Sequence, residues 1–111
     1  MVAPAGQSDA VESAQTIAAP ADLAAVAKAI GHPARVEIIR LVHAQPLCVG
    51  VELSDAIGLA PSTVSEHLRI LKAAGVITAT LDRPRTMYSL NPAALDLLRA
   101  FLGLVSKPVQ N

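Results

Sequence analysis

The stretch that decides the fold covers residues 54–90 and reads SDAIGLAPSTVSEHLRILKAAGVITATLDRPRTMYSL. Gly58 is a residue type that ends helices. Pro61 suits the first turn of a new helix, because the N–H that proline lacks would have no partner within the helix there. The second helix carries apolar residues at helical spacing on one face, namely Val64, Leu68 and Leu71. The pattern predicts two helices joined by a tight turn.

A β-hairpin is predicted directly after these helices. Gly75 would end the second helix, and residues 76–81 and 86–90 have the alternating, partly β-branched character of strands. Residues 82–85 would form the turn between them. The predicted fold class is therefore mainly α with a small β-hairpin, a winged helix-turn-helix. Such a unit can place its second helix in the major groove of DNA and its hairpin over the adjacent backbone.

Helices on both sides complete a domain of about five helices. Besides the helix that starts at Pro61, four are predicted, namely from Pro20 or Ala21 to Gly31, over residues 34–44, over residues 51–57, and from Asn91-Pro92 to just before Pro108. His32 is expected to cap the helix at 34–44, and Asn91 to cap the last one. Residues 47–50 would be a short connection. The domain is thus expected to cover residues 20–107, with flexible segments at 1–19 and 108–111.

Composition limits the class of protein. Of the 111 residues, 52% are hydrophobic and only 2% are aromatic, which predicts one domain with an aliphatic core. An apolar run of about 18 residues and a secretory signal are both missing, so we expect no membrane association and a cytoplasmic location. The single cysteine, Cys48, excludes an internal disulfide and a zinc site of paired thiolates within one chain.

Charge is distributed unevenly. The formal net charge is zero, which argues mildly against nucleic-acid binding. Within residues 61–90, however, Arg69, Lys72, Arg83 and Arg85 outnumber Glu66 and Asp82. This basic excess lies on the helix and hairpin that would meet phosphates. Because it is small, we expect useful DNA affinity only from a dimer.

Apolar stripes on the first and last helices suggest where that dimer forms. The stripe residues are Leu23, Val26 and Ile30 in the first helix and Leu95, Leu98, Leu102 and Val105 in the last. The spacing in the last helix is typical of a coiled-coil seam. Ordinary packing within one chain is the alternative.

With these elements placed, the chain resembles the ArsR/SmtB family of bacterial repressors. The resemblance is carried by residues 29–41 (AIGHPARVEIIRL), 47–53 (LCVGVEL), 62–71 (STVSEHLRIL) and 72–77 (KAAGVI), and by the Tyr-Ser-Leu end of the hairpin at 88–90. It covers roughly residues 22–105. It implies a homodimer that binds an inverted repeat in double-stranded DNA, represses a nearby operon and is released by an inducer or partner protein.

The resemblance also implies the DNA contacts. Ser62, Thr63, Ser65 and His67 match contact positions of the recognition helix, Arg83 and Arg85 match the wing, and Arg69 is a further candidate. The alternatives are helix capping for the hydroxyl residues, packing for His67 and a solvated hairpin tip for the wing arginines. Pro61 departs from the polar residue, often glutamine, of many members and so removes a base contact.

The metal sites of the family are incomplete here. Cys48 fills the first position of the arsenic-type Cys-x-Cys pair, but Gly50 stands at the second. Asp96 lies in the last helix, where the zinc- and nickel-type site also needs histidines, and none is present. We therefore expect no metal and no cofactor. Cys48 remains a sensor candidate, either as a reactive thiol or as a shared ligand, although a small buried hydrophobe is the simpler interpretation.

Catalytic groupings are missing from the sequence. It has no glycine-rich phosphate loop, no nucleophile elbow and no paired carboxylates in a setting that would raise a pKa. An enzyme is not expected. The leading hypothesis is a DNA-binding transcriptional repressor. The alternatives are a winged-helix module that binds another protein and a metal- or thiol-responsive sensor that uses Cys48 in a non-standard site.

Overall fold

The computed structural model describes residues 20–45 and 48–109. Its elements are α1 (Pro20–Ile30), α2 (Pro33–Ala44), β1 (Cys48–Val49), α3 (Gly50–Ile57), α4 (Pro61–Ala73), β2 (Ile77–Asp82), β3 (Arg85–Leu90) and α5 (Pro92–Val105). The prediction of a mainly helical winged helix-turn-helix is confirmed. The expected flexible start at 1–19 and the last two residues of the expected tail lie outside the described residues.

The sheet has three strands rather than the two of a simple hairpin. Its order is β1-β3-β2, and both pairs are antiparallel. Cys48 lies opposite Tyr88 and Val49 opposite Met87, so that β1 covers the outer edge of β3. The prediction of a plain connection over residues 47–50 was wrong, since a strand of two residues is too short to show an alternating pattern.

The core is aliphatic, as the composition predicts. Its largest fully buried side chains come from three helices and the start of β2, and they are Ile38, Val42, Leu53, Val64, Leu71, Val76 and Ile77. Together with smaller buried residues such as Val26 and Ala29, they form one cluster between the helices and the sheet. This cluster fixes the position of α4 relative to the hairpin of β2 and β3, which is the wing. None of the described helices combines the length and apolar character that a membrane span requires.

Two glycines make the turns around α4. Gly58 has φ +81° and Gly75 has φ +80°, a backbone region that strains other residues. At the first turn, the Ser54 hydroxyl donates to the carbonyl of Leu59 over 2.7 Å. This buried hydroxyl closes the connection between α3 and α4, so the predicted tight turn is rigidly held.

Asn91 ties the second turn to α5. Its side-chain oxygen accepts from the backbone N–H of Ala93 over 3.2 Å, which caps α5 as expected. Its side-chain amide donates to the carbonyl of Gly75 over 2.7 Å, and its backbone N–H donates to the carbonyl of Val76 over 2.9 Å. One residue therefore fixes the end of the wing and the start of α5 against the end of α4.

We expect Asn91→Ala to lower the free energy of unfolding by about 1–2 kcal/mol, because it removes a helix cap and a bond to a backbone carbonyl. Thermal unfolding followed by circular dichroism measures the change. Asn91→Ser is the matched control, because serine can still cap α5 but is too short to reach Gly75, and its midpoint should lie between the other two. A midpoint of Asn91→Ala equal to the wild type would contradict this role.

Candidate nucleic-acid interface

The recognition helix α4 is amphipathic in the way that DNA reading requires. Its apolar stripe is buried, with exposed fractions of 1% for Val64, 4% for Leu68 and 0% for Leu71. The polar side chains on its other faces are exposed, among them Ser62, Thr63 and Ser65. Burial of one stripe thus fixes which residues of α4 can meet another molecule.

The start of α4 leaves one backbone donor without a described partner. Its N-cap is Ala60, which has no side-chain acceptor, and Pro61 occupies the first turn. The N–H groups of Thr63 and Val64 both donate to the carbonyl of Ala60, while that of Ser62 has no partner among the described residues. Helix N-termini of this kind favour anions such as phosphate. Ala60 itself is the N-cap, so none of the three hydroxyl residues, Ser62, Thr63 and Ser65, occupies that position.

The wing carries two exposed arginines. Arg83 lies in the turn after β2, and Arg85 begins β3 opposite Asp82. Neither guanidinium forms an ion pair with a carboxylate in the part of the chain that the structure describes. Both charges are therefore available to a phosphate backbone.

A groove of about 290 Å³ joins α4 to the wing. Its lining comes from both elements, with Ser65, Leu68, Arg69 and Lys72 on α4 and Ala79, Thr86 and Tyr88 on the strands. The groove brings hydroxyl groups and cations together at the edge of the recognition helix. Thr86 and Tyr88 had not been predicted as site residues, because a strand pattern does not show which face will meet α4.

Arg69 is less free than its position on α4 suggests. Its Nε and Nη2 atoms both donate to the carboxylate of Glu66, one turn away, and both side chains are more than half exposed. This hydrogen bond lowers the pKa of Glu66 and raises that of Arg69. Any phosphate that approaches Arg69 must share it with Glu66, which weakens its expected part in DNA binding.

His67 faces the protein rather than only the solvent. Its Nδ1 accepts from Nε of Arg35 over 3.3 Å, and its ring centroid lies 4.7 Å from that of His32. Burial lowers the pKa of His67 below its ordinary value of 6.5, and the neighbouring charges of His32 and Arg35 lower it further. The Nδ1 edge of the ring therefore has the packing role that was the alternative for His67. A contact between the rest of the ring and DNA stays a prediction.

Arg35 is a residue whose role the sequence did not reveal. Besides its bond to His67, its Nη1 donates to the carbonyl of Ala29 over 3.0 Å. It thereby connects the end of α1 and the start of α2 to the recognition helix. His32 caps α2 through a 3.0 Å bond from the N–H of Ala34 to its Nδ1, as predicted. For Arg35 the sequence offered only one signal, its place in the segment at 29–41 that carries the family resemblance.

The apolar stripes of α1 and α5 differ in what they leave exposed. Val26 is 3% exposed within a single chain, so it packs in the core, and its place in a dimer interface stays a prediction. Leu23, Ile30, Leu95 and Leu98 are half-buried. At the end of α5, by contrast, Leu102 is 52% and Val105 58% exposed, and the adjacent Phe101 and Leu104 are exposed as well.

Metal ligands do not converge in the described part of the chain. No group of three or more histidine, cysteine, aspartate or glutamate residues there could hold an ion. The backbone of Cys48 lies in β1, and its side chain lies outside what the structure describes.

Acid should destabilise the protein through His67. Because its folded-state pKa lies below 6.5, the unfolded chain binds more protons in this range, and stability falls as the pH is lowered. We expect His67→Asn, which can still accept from Arg35 but cannot be protonated, to lose less thermal stability than the wild type between about pH 8 and about pH 5. His43→Asn, at an exposed histidine of α2, is the control and should behave as the wild type. Equal pH dependence in all three proteins would refute the assignment.

Comparisons with known proteins identify the family. The family model described as bacterial regulatory protein, arsR family, matches residues 32–79. The HTH-type transcriptional regulator YgaV of Escherichia coli (strain K12) is 33% identical over 97 residues, which cover 87% of this chain and 98% of YgaV. The HTH-type transcriptional repressor SmtB of Mycobacterium tuberculosis is 38% identical over 63 residues, or 57% of this chain and 46% of SmtB.

A solved structure agrees with these relatives. It is the homodimeric winged helix-turn-helix DNA-binding domain of a possible ArsR-family transcriptional regulator from Mycobacterium bovis. The TM-score is 0.63 at 25% identity, and the match covers 92% of this chain and 99% of that domain. Sequence and structure therefore lead to one conclusion: the chain belongs to the arsR family of bacterial regulatory proteins and is a DNA-binding transcriptional regulator, not an enzyme.

Proposed function

We propose that the protein is a homodimeric repressor that binds an inverted-repeat operator and is released by an inducer or a partner protein. The observation that carries the proposal is the joint surface of α4 and the wing. A groove between them is lined by Ser65, Arg69 and Lys72 of the recognition helix and by Thr86 and Tyr88 of the strands. Beyond it, the wing carries two exposed arginines without described ion pairs. The site of action would be the DNA of a bacterial cytoplasm.

Each protomer would insert the start of α4 into the major groove. Ser62, Thr63 and Ser65 would then face base edges, to which hydroxyl groups can both donate and accept. Arg83 and Arg85 would contact the phosphates of the adjacent backbone, and Arg69 and His67 would make weaker contacts because each already has a protein partner. Phosphate contacts fix the position of the protein, and base contacts give the specificity.

The exposed end of α5 supports dimerisation. Leu102 and Val105 continue the stripe of α5 and remain more than half exposed in the single chain. The M. bovis relative is a homodimer. Leu23, Ile30, Leu95 and Leu98, which are half-buried, could add surface to the same interface. Two linked protomers would occupy two half-sites at once, which multiplies the affinity of a weakly basic protomer.

Fluorescence-anisotropy titration tests the proposal. We expect the protein to prefer the duplex upstream of its own gene strongly over a scrambled duplex, with two protomers bound per site. Arg83→Ala combined with Arg85→Ala should weaken binding and reduce the slope of log K against log salt by about four units, because two arginines are lost from each of two protomers.

The control for the wing is Arg40→Ala combined with Arg99→Ala, which removes two exposed arginines outside it. This variant should keep the salt slope of the wild type. Equal, weak binding of the wild type to both duplexes would contradict the repressor proposal. An unchanged slope in the wing variant would contradict only the role of the wing.

Leu102→Glu should separate the protomers, since it places a charge on the exposed stripe of α5. We expect a monomer in analytical ultracentrifugation and a loss of operator affinity of about a hundredfold or more. Val51→Glu, at a residue of α3 that is 65% exposed, is the control for a charge on an exposed apolar position and should remain a dimer. A dimeric Leu102→Glu protein would exclude this face as the interface.

A further inference from the structure

A second pocket lies on the recognition helix, away from its contacts with the wing. It has a volume of about 450 Å³, within the range of small-molecule sites, and is formed by α1, the start of α2 and the second half of α4. Its walls include four alanines, Ala25 and Ala29 of α1 and Ala73 and Ala74 at the end of α4. The small side chains leave room between the helices and present an apolar floor.

Three cations surround that floor. They are Lys28, Arg35 and Arg69, and no acidic residue belongs to the lining. The charge of Arg69 is offset by Glu66, but Lys28 and Arg35 make no ion pair with a carboxylate of residues 20–45 or 48–109. Arg35 uses two of its five N–H groups on His67 and Ala29, which leaves three without a described partner. The pocket thus combines an apolar floor with an excess of positive charge.

We propose that this pocket binds a small organic anion, with a carboxylate at the cationic edge and an apolar body over the alanines. A guanidinium matches a carboxylate well, since it can donate two parallel hydrogen bonds. A bare inorganic phosphate would satisfy the cations but leave the apolar floor uncovered, and a neutral apolar molecule would leave the cations without a counter-charge. An amphipathic monoanion fits both halves of the lining.

The position of Arg35 indicates what this ligand does. Arg35 bonds to the end of α1 and to His67 in α4. A carboxylate that pairs with its three remaining N–H groups would draw the same guanidinium away from both acceptors. Loss of these bonds would loosen the recognition helix from α1, and α1 carries part of the apolar surface assigned to the proposed dimer interface. Resting on the proposed function above, the anion is therefore an inducer that lowers operator affinity.

Methyl NMR of the full-length protein labelled at alanine methyl groups tests the site, with benzoate as the probe. We expect saturable shifts at Ala25, Ala29, Ala73 and Ala74, and none at Ala93, Ala94 and Ala100 of α5. Benzamide, which has the same ring without the charge, should bind much more weakly. Lys28→Gln should raise the Kd for benzoate by about threefold, as loss of one exposed charge does. Lys107→Gln, at the exposed end of the chain beyond α5, should not change it.

Several results would overturn the proposal. They are an absence of saturable shifts, equal binding of benzamide, an unchanged Kd in Lys28→Gln, or shifts confined to α5, which would place benzoate on the dimer seam instead. The inducer role is tested separately by the operator titration with and without benzoate, where the wild type should lose affinity and Lys28→Gln should need about threefold more benzoate. Failure of operator binding without benzoate would refute the repressor function alone, because the NMR measurement contains no DNA.

Discussion

Burial of the aliphatic stripe of α4 is the constraint on which the other features depend. Val64, Leu68 and Leu71 each remove most of a branched side chain from water, which contributes roughly 1.5–3 kcal/mol apiece as an upper estimate. Because successive side chains on a helix point in fixed directions, this burial also determines which residues face outward. Ser62 and Ser65 are thereby turned outward by the same packing that stabilises the domain.

The fold was predictable wherever a local pattern is strong. Gly58 and Gly75 have the positive φ angles that their positions at helix ends suggested, and Asn91 caps α5 as expected. The two-residue strand β1 could not be predicted, because Cys48 and Val49 become a strand only by pairing with β3, about 40 residues later in the chain. Its existence depends on a distant partner and not on its own residues.

The candidate site was predictable in its exposed residues but not in their partners. The bond between Arg35 and His67 joins residues 32 positions apart, so no periodicity reveals it. The pairing of Glu66 with Arg69, three positions apart on one helix, could have been found from spacing. Likewise, Val26 and Leu102 look alike as members of apolar stripes. Tertiary packing alone makes one a core residue and leaves the other exposed.

A formal net charge of zero suits the proposed releasable repressor, because few cations of each protomer are then in excess over carboxylates. The wing arginines are free of described ion pairs, whereas Arg69 is paired with Glu66, so few charges of each protomer can meet phosphate at full strength. In the proposed dimer, modest affinity per protomer would make tight binding depend on two half-sites being engaged together. A small change in the position of α4 in each protomer would then weaken binding to both half-sites at once. Since Arg35 connects α4 to α1, a ligand at that single side chain could release the whole dimer.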